Sequence, residues 1–387
     1  MSEDIIRIAH IMGKWVGGGV EAVVMNYYRY IDKSKIQFDF ICDEDSTNIP
    51  YDEIENMGGK VILIPPYQKV FKYHKELKRV LKKENYKIVH SHLNTLSIFS
   101  LYAAKCANIP IRIAHSHSTT NRKEWKKNLI KNILRPFAKM FATDYMCCSE
   151  VAGRWLFGNK EYDKGNVYVL NNAIDLDKFK YDKDVRKKLR KKLEIGDDTF
   201  VIGHVGRFVA QKNHEFLINI FSEFNKENKN SMLILIGQGP LEKKIKAKVK
   251  QMNLNNKVIF LGQIDNVNEL YQVFDVFLFP SLYEGLGMVL IEAQCSGLKC
   301  IASKEVPYSS KVTENLKFVD LNDEIKVWKN GLLGTVARKD FCLEIEKAGY
   351  NIKKESKKLE KKYYNMYINE EKNNWGIIIK MIYYVLI

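Results

Sequence analysis

The chain has 387 residues, 46% of them hydrophobic and 28% charged, with only eight prolines, which excludes a disordered or fibrous protein and leaves room for two domains. A formal net charge of +16 draws it toward anionic matter, whether nucleic acid, anionic lipid or a phosphorylated substrate. Seven cysteines, an odd number with no Cys-x-x-Cys pair, exclude a zinc cluster and a full disulfide framework, and point to a reducing, cytoplasmic compartment.

The first apolar run, "IIRIAHIM", follows an acidic start and is interrupted by Arg7 and His10, which suits a first strand and not a signal peptide. Further runs occur at "FDFICD", "KVILIP", "KIVHSHL", "IRIAHSH", "DYMCCSE" and "VYVLNN". They are continuous rather than alternating, as parallel strands buried on both faces should be. Helical patterns such as "GVEAVVMNYYRYI" and "VFKYHKELKRVLKKENY" lie between them, so residues 1–175 predict a Rossmann-like βαβ domain. Residues 176–197 are lysine-rich without strand character and read as an interdomain segment at the head of the second domain.

The rhythm then restarts at "FVIGHVGRF", "SMLILIGQG", "KVIFLGQI", "VFDVFLFPS" and "LKCIAS", a second parallel sheet within residues 176–345. Residues 346–387 predict a polar helix with an apolar stripe that packs back toward the first domain, ending in a tail from Glu370. No run is long and apolar enough to span a bilayer; the nearest, "WGIIIKMIYYVLI", is short and carries Lys380. The expected fold is α/β, two Rossmann-like domains facing across a cleft, with ligands at the C-terminal edges of the sheets.

The stretch "YEGLGMVLIE" comes directly after a predicted strand. Gly285, Leu286 and Gly287 open a helix whose first free N–H groups, through Met288 and Val289, can hold a phosphate. Glu284 before the turn is placed to accept from neutral hydroxyls. Glu292, farther into the helix, can take both hydroxyls of a ribose. Hydroxyls on either side of a phosphate describe a nucleotide sugar. In "VGRFVAQKNHEFL", Arg207 and Lys212 stand at another strand end, where two cations can neutralise a diphosphate. Solvated acids and surface ion pairs are the bland alternative for all four.

Near the start, Gly18 and Gly19 in "GKWVGGGVEAVV" let backbone approach a phosphate or sugar. The same stretch fits G-x-G-x-x-A, with Asp43 where the ribose-binding acid of an NAD-dependent dehydrogenase would stand. Against that rival, the stretch between Met12 and Gly19 is too long for the fingerprint's tight turn. "HSH" occurs at residues 90–92 and 115–117, each time putting two rings on one strand face. With no carboxylate or cysteine at suggestive spacing, these predict hydrogen-bonded histidines and no metal site. His117 ends its strand before a polar loop and is the one expected to reach a sugar hydroxyl.

In "RKEWKKNLIKNILRPFAKMF", Trp125, Leu129, Ile133, Phe137 and Met140 recur at helical spacing among seven cations. Such a helix can lie on an anionic membrane surface or pack on the first sheet with its lysines in water. Lysines spread over helices without an aromatic-basic module argue against nucleic acid.

Together "GGVE", "HSHST", "NNAIDLDKF", "GRFVAQKNHEFL", "LIGQGPLEKKI" and "EGLGMVLIE" resemble the GT-B glycosyltransferases of family 4, the retaining class that builds bacterial capsules, exopolysaccharides and O-antigens. The resemblance spans residues 5–366. It implies that Glu284 contacts the donor sugar, Glu292 the ribose, and the amides of Leu286 to Val289 the distal phosphate. Arg207 and Lys212 neutralise the departing nucleoside diphosphate, favoured as UDP; Gly18 and Gly19 approach the same group, and His117 contacts the donor sugar. It implies transfer with retention to a glycan acceptor, without metal or cofactor; the basic helix suggests a lipid-linked acceptor at the inner face of the membrane. Ala173 stands where relatives often have Gly, and the tail from Glu370 has no recognised counterpart. A GT-B sugar-nucleotide epimerase or hydrolase is the alternative, as is a binding protein without activity. Sugar identity, linkage and oligomeric state are not legible.

Overall fold

β1 (Ile6–Gly13) shows why the first half forms a sheet covered on both faces: Ile6, Ile8 and Met12 enter one core, while Ala9 and Ile11 enter another. The architecture is that of a computed structural model, which describes residues 5–118, 131–264, 266–334 and 337–386, with side chains through residue 372. The chain divides into two compact units. One takes the residues up to Ala173 and those from Ile352 onward; the other is Ile174–Asn351.

The first unit holds β1, β2 (Ile36–Asp43), β3 (Lys60–Ile64), β4 (Ile88–Ser91), β5 (Ile111–Ser116), β6 (Asp144–Cys147) and β7 (Val167–Val169). All pair in parallel, in the order β3-β2-β1-β4-β5-β6-β7. The final helix, Ile352–Leu386, buries Ile352, Leu359 and Tyr363 against the face formed by Ile8, Phe38, Ile88 and Ile113. It includes the segment read from the sequence as a separate tail.

The second unit holds β8 (Phe200–Val205), β9 (Ser231–Ile236), β10 (Val258–Gly262), β11 (Val276–Phe279), β12 (Lys299–Ser303) and β13 (Leu316–Val319). The order is β10-β9-β8-β11-β12-β13, again parallel. β13 is an edge strand that the apolar runs of the sequence do not announce. Gly203 on β8 is required by packing: a Cβ there would stand 2.1 Å from Cδ2 of Phe274.

Residues 176–197 are not a free linker. They form the helices Leu176–Phe179 and Lys183–Lys192 within the second unit. Two arginines fix them: Arg186 donates to the carbonyls of Gln272, Val273 and Phe274 and to Asp275 at 2.7 Å, and Arg190 is buried and donates to Val273. The amide of Ile174 donates to the carbonyl of Tyr350 at 2.9 Å, so the two places where the chain changes units lie side by side.

In each sheet the direction of winding reverses once, between β1 and β4 and between β8 and β11. Loops at such a reversal diverge and leave a crevice at the strands' C-terminal ends, where open α/β sheets bind ligands. No helix among the described residues is long and apolar enough to cross a membrane.

Candidate functional site

The loops after β8 and β11 are tied to each other at the second sheet's reversal. The short turn Ala210–Lys212 ends on Asn213, in the left-handed region at φ +55, and its side-chain amide donates to the carbonyl of Pro280 at 3.1 Å. The carbonyl of Gln211 accepts from the amide of Leu282 at 2.8 Å. This geometry brings Lys212 Nζ to 2.6 Å from Glu284 Oε1, with the two side chains only 16% and 7% exposed. The ammonium also lies 4.7 Å from the ring centroid of Phe279. Gln211 Nε2 donates to the Tyr283 carbonyl at 3.0 Å and to Glu284 Oε2 at 3.3 Å. An ammonium has three donors and a carboxylate about four lone-pair positions, so both groups keep capacity for a ligand. Arg207 is exposed in the loop directly after β8.

Behind Glu284 the chain enters the helix Met288–Cys295 through Gly287, whose φ of +80 is costly for any residue with a Cβ. The turn is pinned by the hydroxyl of Ser310 donating to the Leu286 carbonyl. The helix is held from its far side by Gln294, whose Oε1 accepts from the amides of Val312 and Thr313. Its first N–H groups have no intrahelical partner and carry the positive end of the helix dipole. Glu292 is partly buried farther along, its Oε2 accepting from the Tyr271 hydroxyl at 2.8 Å. Burial pushes its carboxyl up to about 7, opposed by that hydrogen bond. Tyr271, from the helix Val267–Val273, was missed in the sequence, which offers no local sign that it faces Glu292.

In the first unit, Gly18 caps the helix Gly19–Tyr30 without a side-chain hydrogen bond. Glu21 folds back so that its Oε1 accepts from the amide of Val16 at 3.1 Å, and its Oε2 would stand 2.9 Å from a Cβ at Gly18. The helix's amino end thus has an acid of its own, whereas the Cβ side of Gly19 meets no atom of the described residues within 4 Å. His117 lies just past β5. Its amide donates to Asn94 Oδ1 at 2.7 Å, and its Nε2 lies 2.8 Å from His92 Nδ1.

Arg207, Lys212, Glu284, the Gly285–Val289 turn and Glu292 therefore share the loops and helix at one sheet reversal, while Gly18, Gly19 and His117 belong to the other unit. His90 and His115 are buried and hydrogen-bonded to each other at 2.9 Å. Among the described residues, two histidine trios, 10/90/92 and 92/115/117, bring ring nitrogens within 4.8 Å of one another, close enough for a metal ion. Of the basic segment 122–141, residues 122–130, including Trp125 and Leu129, lie outside the described residues. Farther along it, Ile133, Phe137 and Met140 are exposed.

Known proteins share both halves of this chain. Residues 17–178 match the family described as "Glycosyltransferase Family 4", and residues 185–350 that described as "Glycosyl transferases group 1". The "Putative glycosyltransferase EpsF" of Bacillus subtilis is 34% identical over 364 residues, covering 91% of this chain and 94% of its own. The Escherichia coli UDP-Gal:alpha-D-GlcNAc-diphosphoundecaprenol alpha-1,3-galactosyltransferase is 25% identical, covering 94% and 98%. The capsular polysaccharide biosynthesis glycosyltransferase CapH of Staphylococcus aureus is 26% identical, covering 87% and 92%. Among solved structures, Anabaena HepE in complex with UDP and glucose superposes with a TM-score of 0.70 at 18% identity, covering 95% of this chain and 100% of that one.

Proposed function

The chain belongs to the glycosyltransferases of group 1 and family 4, with their GT-B fold, and from that premise we propose that it moves a sugar, with retention, from a UDP-sugar to a lipid-linked glycan acceptor in bacterial surface polysaccharide synthesis. One observation carries the reading: the partly buried Lys212–Glu284 pair, the helix amino end at Gly287 and Glu292 stand in succession at the reversal of the second sheet. Lys212 spends one donor on Glu284 and offers the others, with Arg207 and the amides of Leu286 to Val289, to the diphosphate. Glu284 uses its remaining lone pairs for hydroxyls of the sugar, and Glu292 accepts from the ribose. Gly19, with Gly18, brings backbone to the phosphates, and His117 contacts the donor sugar.

In the reaction, the bond from the anomeric carbon to the diphosphate oxygen breaks as a bond to the acceptor oxygen forms on the same face. The acceptor's proton passes to the leaving phosphate. Cations fixed before the reaction stabilise the growing negative charge, so no metal or cofactor is required. The UDP preference draws support from the donor in the name of the Escherichia coli relative and from the ligand of HepE. The lipid-linked acceptor draws support from that same relative, and the polysaccharide setting from CapH.

The test is transfer in EDTA from a panel of UDP-sugars to a polyprenyl-diphosphate sugar, with the product's anomeric configuration read by NMR. The expected product keeps the donor's configuration. An inverted product, activity only after a divalent ion is restored, or epimerisation or hydrolysis of the donor without transfer would contradict the proposal.

A further inference from the structure

Five of the chain's eight histidines, His10, His90, His92, His115 and His117, occupy three neighbouring strands of the first sheet or their ends. The two-residue period of a strand turns them all to the face that carries Ile8, Ile88 and Ile113. Three of them form a row across the reversal between β1 and β4 and on to β5. His10 Nδ1 lies 2.9 Å from His92 Nε2, and His92 Nδ1 lies 2.8 Å from His117 Nε2. Each nitrogen faces another at hydrogen-bond distance, so these atoms are already used in pairs.

A neutral imidazole has one N–H and one lone pair. A row of them therefore has a direction, and only two arrangements satisfy both contacts. In one, every ring carries its proton on Nδ1, and His10 Nε2 ends the row as a bare lone pair. In the other, every proton sits on Nε2, and the row ends at a His10 N–H. Among the described residues, the buried His10 Nε2 has no hydrogen-bond partner. An orphaned buried N–H is rarer than an under-used acceptor, because the donor loses its water with nothing in exchange. Burial holds both His10 and His117 neutral, their ring pKa values lowered to about 3. Neutrality is the condition under which the direction of the row is defined.

We propose that His10 and His92 are positioning residues that fix His117 as its Nδ1–H tautomer, so that it meets its ligand as a hydrogen-bond donor and not as a base. The ligand group it takes is an acceptor oxygen, such as a sugar hydroxyl oxygen. That last step rests on the reading that His117 contacts the donor sugar; the tautomer itself does not. Nδ1 of His117 is the ring nitrogen the row leaves outside, and the position of the ring is set from below by stacking on His115 at a centroid distance of 3.9 Å. The backbone on either side is clamped too, by Asn94 at the amide and by Cys148 Sγ at the carbonyl.

The experiment uses the full chain labelled with 15N-histidine, whose two ring nitrogens report the tautomer in long-range 1H–15N spectra near neutral pH. Resonances are assigned from His10→Asn, His92→Asn and His117→Gln. The expected result is Nδ1–H at His10, His92 and His117. An Nε2–H tautomer or an imidazolium at His117, or a stoichiometric metal found on the cluster in the purified protein, overturns the proposal. In transfer assays, His92→Leu should lower kcat by about tenfold, the worth of one hydrogen bond near the reacting sugar, while His92→Asn, whose amide can donate from the Nδ1 position, should stay within about threefold. His92→Leu should also release the His117 tautomer; a role in packing alone would leave it unchanged and would overturn the proposal. Should His92→Leu fail to fold, the His117 tautomer read in the wild-type spectra decides the proposal by itself. If the tautomers are as expected but a UDP-sugar that supports turnover leaves the His117 signals unmoved, the row stands and the contact with the sugar is overturned.

Discussion

Replacing Lys212 by Met removes one charge and keeps most of the stem that lies over Phe279, so its consequences can be worked out in two parts. The first is stability. The ion pair is 2.6 Å long with its side chains 16% and 7% exposed, and breaking a buried pair from one side costs about 3–5 kcal/mol. Gln211 still donates to Glu284 at 3.3 Å, and Lys212 is not wholly desolvated, so about 2–3 kcal/mol is expected, a fall in Tm of roughly 5–10 °C for a unit of this size. The second part is catalysis. A cation held ready for charge that grows in the transition state is worth about 100- to 1,000-fold in kcat, with a smaller effect on KM for the donor. The two parts separate in the double variant Lys212→Met, Glu284→Gln: neutralising the stranded acid should restore much of the Tm and none of the turnover. Initial rates of transfer and thermal melts of the three proteins are the assay. Turnover of Lys212→Met within about threefold of wild type, or recovery of turnover with Tm in the double variant, would refute the assignment of Lys212 to the leaving group.

Glu292→Gln should weaken donor binding and flatten its pH dependence. In the wild type the carboxyl titrates near 7, so affinity for the donor should rise as pH increases through that value and an ionised acceptor becomes available to the ribose. The sign for stability is opposite. Because the folded-state value is raised, the stabilisation is complete below the ordinary carboxylate range and is lost as pH climbs through about 7, a loss that melts of Glu292→Gln should not show. Gly203→Ala should overpack β8 against Phe274, which a Cβ would meet at 2.1 Å, and destabilise the second unit by about 1–3 kcal/mol; an unchanged denaturation midpoint would contradict this. Flotation with anionic liposomes should show salt-sensitive binding that is lost when Lys126, Lys127 and Lys131 become Glu, and binding indifferent to both salt and substitution would remove the membrane contact.

The strands of the first sheet are legible because burial on both faces writes itself as continuous apolar runs. β13 is not, since Leu316–Val319 is a short edge strand with Lys317 exposed, and its pattern is too brief to register. The segment 176–197 looks like a linker because a charge count treats every cation as solvated. Two of its arginines are instead structural, with Arg190 almost wholly buried at 2% exposure. At the site, the turn at Gly285–Gly287 and the spacing of its two acids can be read locally, because helix periodicity fixes the positions beyond a turn. The pairings cannot. Lys212 meets Glu284 across 72 positions and Tyr271 meets Glu292 across 21, and such contacts depend on which strands become neighbours. The histidines divide the same way: "HSH" announces two rings on one face, but the place of His10 beside them requires knowing that β1 lies next to β4.

Central to the function proposed for this chain is nucleoside diphosphate binding by the second unit's loops. Titrating UDP, GDP and ADP into the wild type and into Arg207→Ala, Lys212→Met and Glu292→Ala, with calorimetric heat and thermal shift as readouts, measures it. The prediction is a clear preference for UDP, a raised melting temperature, and weakened binding in all three variants. Absence of nucleotide binding, or binding that none of the three substitutions alters, would contradict it.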